Sequence, residues 1–263
     1  RNGAPGNIER RVREKIKKSR IFIYKGNDLT VDSVDLIIGQ YFNKDLRGVA
    51  GKKIGIIGAG NIGSKIGLFM TELGAKVFLN RRNKKKLSCI VNAINYLKPY
   101  NTREKAKIAN KTIAAKNSDV LIGSTDGKSV IDGKMVNLLK KNSIIIDAGK
   151  GTLTENAIKR ANERKIKVFR VDIFPSLEGL ISKTFSMEKQ ISKLLKKKKI
   201  QNINILNTGK LGNYGDLIVD DIDNINLVYG VCDGKGDFIR KVPKKYKSLI
   251  NKVLKKWNYL NIQ

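Results

Sequence analysis

Short apolar runs of strand length alternate along this chain with segments whose apolar residues recur at helical spacing. After the run Lys53–Ile57, for example, Ile66, Phe69, Met70 and Leu73 lie three or four positions apart, as on one face of a helix. The other strand-length runs are Lys76–Leu79, Asp119–Gly123, Ser143–Asp147 and Lys167–Val171. Because strands that alternate with helices favour parallel pairing, the pattern predicts an α/β fold with a doubly wound, mostly parallel sheet.

A glycine-rich turn, Gly58-Ala59-Gly60-Asn61-Ile62-Gly63, joins the first of these strands to the next predicted helix. Glycines at this spacing permit a tight turn, let the backbone approach a pyrophosphate and let the helix pack closely on the strand. The unpaired N–H groups at the helix start favour the same anion. The motif in this setting predicts a Rossmann dinucleotide-binding unit rather than a merely structural turn, with cofactor contacts from Gly58, Gly60, Asn61, Ile62 and Gly63.

The end of the second predicted strand indicates which dinucleotide binds. An NAD site usually has Asp or Glu here to bind the ribose 2′-hydroxyl, but this chain has Asn80-Arg81-Arg82 and no acidic residue from Gly74 to Pro99. Guanidinium groups bind a 2′-phosphate through charge-assisted bonds. We therefore expect NADP more than NAD. The alternative is that the arginines are incidental and that Asn80 caps the next helix.

The motif divides the chain into three segments. We expect an N-terminal helix and strand segment over residues 1–47, the dinucleotide-binding Rossmann domain over 48–180, and a C-terminal segment over 181–263 that packs on or closes the site. Finer predictions are a basic helical lead-in over 1–20, a strand at Ile21–Tyr24, a helix capped by Thr30 or Asp32, two helices broken at Pro99 within 83–117, helices at Met135–Lys141, Thr154–Lys165, Leu177–Leu195 and Tyr246–Trp257, and strands at Ile203–Leu206 and Asn226–Tyr229.

Polar residues follow the later strands, at the edge where open α/β sheets bind ligands. Ser124, Thr125 and Gly149 are the further candidates for cofactor contacts. Asp147 and Lys150 are the candidate catalytic pair, because a carboxylate beside an amine could hold and protonate a substrate carbonyl oxygen during hydride transfer. Lys210, in a second glycine-rich loop, is a further catalytic candidate. Each cluster also has a structural explanation as a turn, a helix cap or a surface loop.

Composition excludes several classes of function. The chain has 263 residues, a formal charge of +31 and no histidine, so it holds no imidazole base and no histidine-ligated metal. Its cysteines, Cys89 and Cys232, are far apart and predict reduced cytoplasmic thiols and no metal site. The lysines are spread over every segment, so we expect no specific nucleic-acid partner. No apolar run is long enough to predict a membrane span or a signal peptide.

The run Leu46 to Gly63 resembles the entry to the NAD(P)-binding domain of amino-acid and D-2-hydroxyacid dehydrogenases. Asn80-Arg81-Arg82 is similar to the nucleotide clamp of shikimate dehydrogenase-like enzymes, and Ser118–Thr125 with Ile144–Gly149 resembles that group and the methylene-tetrahydrofolate dehydrogenases. The resemblance implies an NAD(P)-dependent dehydrogenase. Shikimate and amino-acid dehydrogenases carry their catalytic Lys and Asp in a domain before the nucleotide domain. Here either that domain lies outside this chain or residues 200–263 close the site.

Together these features predict a cytoplasmic oxidoreductase that transfers a hydride between NADP(H) and a small carbonyl, imine or alcohol. The expected partner is a small-molecule substrate, with homo-oligomers as an open possibility. Two alternatives remain: a regulatory module that binds the nucleotide without turnover, and a basic interaction protein on a Rossmann scaffold.

Overall fold

The structure, a computed structural model, describes residues 8–200 and 202–260. The chain divides between Leu177 and Glu178 into two compact units. The described part of the predicted N-terminal segment, from residue 8 onward, therefore belongs to the same unit as the sheet that follows it. The part of the predicted lead-in before residue 8 lies outside the described residues. None of the helices within the described ranges combines the length and the apolar character needed to cross a membrane.

The first unit is built on a six-stranded parallel sheet. Its strands lie in the order β3-β2-β1-β4-β5-β6, which is the Rossmann order. Their bounds are β1 Lys53–Ile57, β2 Lys76–Asn80, β3 Lys107–Ile108, β4 Val120–Gly123, β5 Ile144–Asp147 and β6 Lys167–Arg170. The strand order reverses between β1 and β4, so a ligand site is expected above the ends of these two strands.

Helices cover both faces of this sheet, as predicted for a doubly wound fold. Helix α1 Ile8–Lys15 has no buried residue, and the helices that pack on the sheet are α2 Gly26–Tyr41, α3 Asn61–Glu72, α4 Lys84–Leu97, α5 Lys111–Ala115, α6 Gly133–Asn137 and α7 Glu155–Glu163. Ile54 and Ile56 of β1 pack in one core with α2, α3 and α4, whereas Ile57 belongs to a second core with α5, α6 and α7. Successive strand residues point to opposite faces, which explains why one strand supplies both cores.

The second unit has a smaller mixed sheet in the order β10-β9-β8-β7. Its elements are α8 Phe174–Leu195, which begins just before the division, β7 Lys198–Ile200, β8 Ile203–Asn207, β9 Leu217–Val219, β10 Val228–Val231 and α9 Lys244–Leu260. Buried residues of β8, β9 and β10 pack with Leu249 and Val253 of α9 in a separate core. Both predicted strands and both predicted helices of this region are present, with shifted ends.

Three local predictions in the first unit are wrong. Residues Ile21–Tyr24 belong to no strand of the structure, and Phe22, Ile23 and Tyr24 are about half exposed. The helix after them begins at Gly26, before the predicted caps. Within 83–117, α4 matches the first predicted helix, but the second, predicted to follow the break at Pro99, is present only as the five-residue helix α5.

The second half of that stretch forms the two-residue strand β3 and the short helix α5. β3 exists through its pairing with Phe78 and Leu79 of β2, because its own two residues are exposed and carry no strand signal. The helix after β2 is capped by Asn83, whose side chain accepts from the Lys86 N–H, and not by Asn80.

Candidate functional site

A cavity of about 1000 Å³ lies in the first unit where β1, β2, β4 and β5 end. It therefore occupies the switch point at which open α/β sheets bind their ligands. All the predicted cofactor-binding residues except Gly63 line it. The full lining is Asn27, Thr30, Ile57, Gly58, Gly60, Asn61, Ile62, Asn80, Arg81, Arg82, Asn83, Lys111, Ser124, Thr125, Asp126, Lys128, Ser129, Val130, Ala148, Gly149 and Lys150.

The three motif glycines serve different needs. Gly58 has a φ of +110°, and a Cβ there would lie 2.7 Å from the backbone of Ser124. Gly63 lies outside the cavity lining, but a Cβ on it would meet the Gly58 oxygen at 2.3 Å, so it permits the close packing of helix and turn. At Gly60 the nearest atom to a Cβ, again the Gly58 oxygen, is 4.0 Å away. The protein itself leaves space at Gly60, as expected if a ligand must approach the backbone there.

The N-terminus of α3 opens onto the same cavity. The helix starts at Asn61, and its N-cap residue Gly60 makes no side-chain capping bond. Helix N-termini carry unpaired N–H groups and a partial positive charge, both of which suit a phosphate. Asn27 from the start of α2 donates to the Asn61 side chain at 3.3 Å, so α2 contributes to the cavity wall.

The residues after β2 form the most cationic part of the lining. The Asn80 carbonyl accepts from the N–H groups of Gly58 and Ala59, and its side-chain amide donates to the Ala109 carbonyl at 2.8 Å. Arg81 donates from Nη1 to the Ala59 carbonyl at 2.5 Å. Arg82 is exposed at the cavity. Asn80 thus braces the turn, while the guanidinium groups remain available to an anion.

The charges that line the cavity are mostly positive. Besides the two arginines they are Lys111, Lys128 and Lys150, against a single carboxylate, Asp126. Lys111 donates from Nζ to the Val130 carbonyl at 3.1 Å, which ties the start of α5 to the loop after β4. Such a cavity favours a ligand with several negative charges.

The hydroxyl groups after β4 are held by the protein. Ser124 donates from Oγ to the Gly58 carbonyl at 2.8 Å, and Thr125 donates from Oγ1 to the Lys128 carbonyl at 2.7 Å. Each hydroxyl oxygen can still accept a bond from a ligand. The two side chains therefore offer acceptors at fixed positions beside the glycine turn.

The predicted catalytic pair, Asp147 and Lys150, separates into a buried and an exposed member. Asp147 is only 4% exposed, whereas Lys150 is exposed and lines the cavity. The Asp147 carboxylate accepts from the Gly151 N–H at 2.7 Å and from the Thr152 hydroxyl at 2.8 Å, and Arg170 Nε lies 3.5 Å away. Burial alone would raise the pKa of the Asp147 carboxyl, but these bonds and the Arg170 charge outweigh it and lower the pKa. At neutral pH the group is thus ionised and acts as an acceptor within the protein.

The third catalytic candidate, Lys210, belongs to the second unit. Its Nζ donates to the Leu194 carbonyl at 3.2 Å, and it lines a smaller cavity of about 240 Å³ together with Tyr229 and Phe238. Both cysteines are free thiols; Cys89 is exposed, and Cys232 is buried beside this smaller cavity.

Several residues that line the larger cavity were not among the predicted site residues. Asn27 and Thr30 come from α2, whose start was predicted too late in the chain. Lys111 follows the unpredicted strand β3, and Lys128 with Ser129 continues the loop of which only Ser124 and Thr125 were assigned. The signal for Lys128 and Ser129 was their place after a strand end at the ligand-binding edge.

Comparison with known proteins gives remote relatives. Glutamyl-tRNA reductase of Thermosipho melanesiensis is 26% identical over 220 residues, which cover 78% of this chain and 55% of that protein. The chain thus spans about half the length of this relative. Among solved structures, the dipicolinate synthase A chain of Bacillus subtilis aligns with a TM-score of 0.43 and 16% identity over 72% of this chain and 65% of that one. A D-lactate dehydrogenase from Sporolactobacillus sp. aligns with a TM-score of 0.42 and 18% identity over 57% and 49%.

The family assignment comes from residues 32–192, which match the family described as D-isomer specific 2-hydroxyacid dehydrogenase, NAD binding domain. The matched region exceeds half of the chain and contains the whole sheet of the first unit. It confirms the predicted relationship to NAD(P)-dependent dehydrogenases, which are oxidoreductases, and supports a nicotinamide dinucleotide as cofactor. The chain therefore belongs to the family of D-isomer specific 2-hydroxyacid dehydrogenases through its NAD-binding domain.

Proposed function

We propose that the first unit binds NADP(H) and that the protein transfers a hydride between this cofactor and a small carbonyl, imine or alcohol. The observation that carries the proposal is the single cavity that joins the glycine turn to Arg81 and Arg82. The family match supports the nicotinamide dinucleotide, and the residues after β2 support its phosphorylated form. The absence of a carboxylate at the end of β2 removes the group that would repel a 2′-phosphate.

The lining suggests how such a ligand would be held. The N-terminus of α3 and the open backbone at Gly60 suit the pyrophosphate. Arg82 suits the 2′-phosphate, and Arg81 can assist it because a guanidinium has five N–H donors and the bond to the Ala59 carbonyl uses one of them. Ser124 and Thr125 then lie toward the nicotinamide half of the site.

Lys150 is the proposed proton donor. When bound, the reduced cofactor would supply a hydride, which the substrate carbon accepts. The Lys150 ammonium donates a proton to the carbonyl oxygen, so that the C=O group becomes CH–OH, and water then restores the ammonium. Asp147 is assigned no proton transfer, because its buried carboxylate already accepts bonds from Gly151 and Thr152.

Cofactor binding is tested by calorimetric titration of the protein with NADPH and NADH. We expect NADPH to bind more tightly, and we expect Arg82→Ala to weaken NADPH binding while the exposed Lys85→Ala outside the cavity does not. Tighter binding of NADH would contradict the phosphate assignment. No binding of either nucleotide at millimolar concentration would contradict both the enzyme and a nucleotide-sensing module.

Turnover is tested by a screen of 2-keto acids, imines and cyclic ketones for NADPH oxidation. We expect Lys150→Ala to abolish any activity found, whereas Lys159→Ala, an exposed lysine of α7 outside the cavity, leaves it unchanged. Full activity of Lys150→Ala would refute the proton donor. Tight NADPH binding without oxidation of any substrate would favour the regulatory module.

A further inference from the structure

The loop after β5 contains two consecutive residues in a left-handed backbone conformation, of which Lys150 lines the cavity. Lys150 and Gly151 have φ values of +56° and +96°, in the left-handed region. Glycine adopts this conformation freely, but a lysine does so at a cost of about 1–2 kcal/mol. Such a conformation persists only when the surroundings impose it. The loop must therefore contain contacts that hold Lys150 in this place.

The carboxylate of Asp147 supplies the first of these contacts. Its Oδ2 accepts from the Gly151 N–H at 2.7 Å, and its Oδ1 accepts from the Thr152 hydroxyl at 2.8 Å and the Thr152 N–H at 3.2 Å. Both side chains are buried, with Thr152 fully so. The bonds run from the last residue of the strand across to the far side of the loop. Lys150 thus lies in a short loop whose first residue, Asp147, is bonded to the two residues that follow Lys150.

Thr152 supplies the second contact, between this loop and the loop after β4. A Cβ on Gly149 would lie 2.0 Å from the Thr125 carbonyl oxygen and 2.7 Å from the Thr152 methyl carbon. A Cβ on Gly123 would lie 2.0 Å from the Thr152 hydroxyl oxygen. The side chain of Thr152 thus fills the space between the two strand ends, and neither loop can move without displacing it.

The Thr152 carbonyl extends this connection along the cavity wall. It accepts from the N–H groups of Val130 and Ile131 at 2.8 and 3.0 Å. Gly127 also donates to the Gly149 carbonyl, at 3.3 Å. The residues beside Lys150 are therefore bonded to the opposite loop at several points, while Lys150 itself is exposed and lines the cavity.

We propose that Asp147 and Thr152 are positioning residues, which hold the loop after β5 so that the Lys150 ammonium stands at a fixed place in the cofactor cavity. This inference rests on the proposed role of Lys150 in the same site. It assigns the strand-end carboxylate to the orientation of the reacting amine and not to proton transfer. Groups held in this way place a donor within the tolerance that catalysis requires.

The test uses three variants of the full chain with graded losses. Thr152→Val removes the hydroxyl and nearly keeps the volume, Thr152→Ser keeps the hydroxyl, and Asp147→Asn removes the charge. Each protein is labelled with trinitrobenzenesulfonate, with and without NADPH, and the labelling rates of Lys150 and Lys159 are measured by peptide mass spectrometry. Thermal unfolding and the Kd for NADPH are measured in parallel, so that a folded variant can be recognised.

We expect NADPH to slow the labelling of Lys150 at least fivefold in the wild type and in Thr152→Ser, relative to Lys159. In Thr152→Val the protection should fall below twofold, although the protein remains folded and its Kd for NADPH changes less than threefold. A role in stability alone would lower the melting temperature without this loss of protection. Unchanged protection in both Thr152→Val and Asp147→Asn would overturn the proposal.

A second measurement separates this proposal from the proposed function. If the wild type binds no NADPH, the function fails, and the positioning role is then judged on the ligand-free protein by amide hydrogen exchange. The Gly151 and Thr152 amides should exchange at least tenfold faster in Thr152→Val than in the wild type, with Thr152→Ser close to the wild type. Equal exchange in all three proteins would refute the positioning role.

Discussion

The two ends of the cavity use charge in opposite ways. After β2, Arg81 and Arg82 line the cavity, where Arg82 is exposed and Arg81 donates one bond to the Ala59 carbonyl. After β5, the Asp147 carboxylate is buried and accepts hydrogen bonds from Gly151 and Thr152. The arginine charges after β2 are therefore open to an anion, whereas the Asp147 charge stabilises the loop that carries Lys150. The difference predicts that substitution of Asp147 affects stability, whereas substitution of Arg82 affects affinity alone.

The largest expected effect is at Asp147. Asp147→Asn replaces an acceptor by a donor opposite the Gly151 N–H or the Thr152 hydroxyl, and it should lower the free energy of unfolding by about 2–4 kcal/mol, since bonds to charged groups contribute about 1.5–3 kcal/mol each. Urea denaturation at pH 7 measures it. Asp126→Asn, an exposed cavity residue, is the matched control and should change the value by less than about 0.5 kcal/mol. Equal losses in the two variants would remove the distinction between the ends.

The pH dependence of that loss sharpens the comparison. The pKa of Asp147 is lowered in the folded protein, so its contribution to stability is present above the ordinary aspartate pKa of about 3.9 and disappears as the pH falls through the folded value. The difference in unfolding free energy between wild type and Asp147→Asn should therefore shrink progressively below about pH 4. Urea titrations at several pH values from 7 to 3 check this. A difference that stays constant throughout would show that the carboxylate charge is not what holds the loop.

At the other end, Arg82→Glu should leave the unfolding free energy unchanged. It should weaken NADPH binding about 10–100-fold, because a charge-assisted bond to phosphate is lost and a repulsive charge is introduced. Binding of NADH should change less than threefold, as it lacks the 2′-phosphate. Lys85→Glu, which makes the same charge change outside the cavity, controls for long-range electrostatics. If the variant loses affinity for NADPH and NADH equally, Arg82 does not bind the 2′-phosphate.

The smallest expected effect is at Gly60, between the two ends. Gly60→Ala meets no protein atom closer than 4.0 Å and should not alter stability by more than about 0.5 kcal/mol. It should weaken the binding of NADPH and of NADH alike, by about tenfold, because the added methyl group would occupy the space that the pyrophosphate needs. Calorimetric titration of both nucleotides measures this. Undiminished binding would place the pyrophosphate elsewhere in the cavity.

The sequence predicted the parts of the site whose signals are local. Gly58 to Gly63 and the alternation of apolar runs indicated the sheet, its switch point and about half of the residues that line the cavity. The glycine turn was the clearest signal, because backbone geometry restricts the residues allowed there. β3 could not be predicted, since Lys107 and Ile108 are exposed and form a strand only through their neighbour β2. The contacts of the Asp147 carboxylate with Gly151 and Thr152 could not be predicted either. A carboxylate at a strand end has the same sequence signature whether it faces a ligand or, as here, its own loop.

The most direct test of the central claim is a calorimetric comparison of NADPH and NADH binding to the unmodified protein. The cavity that joins the glycine turn to Arg81 and Arg82 predicts that both nucleotides bind at one site and that NADPH binds at least tenfold more tightly. Equal or tighter binding of NADH would contradict the phosphate-binding role of the β2 end, and failure of both to bind would contradict the cofactor site itself.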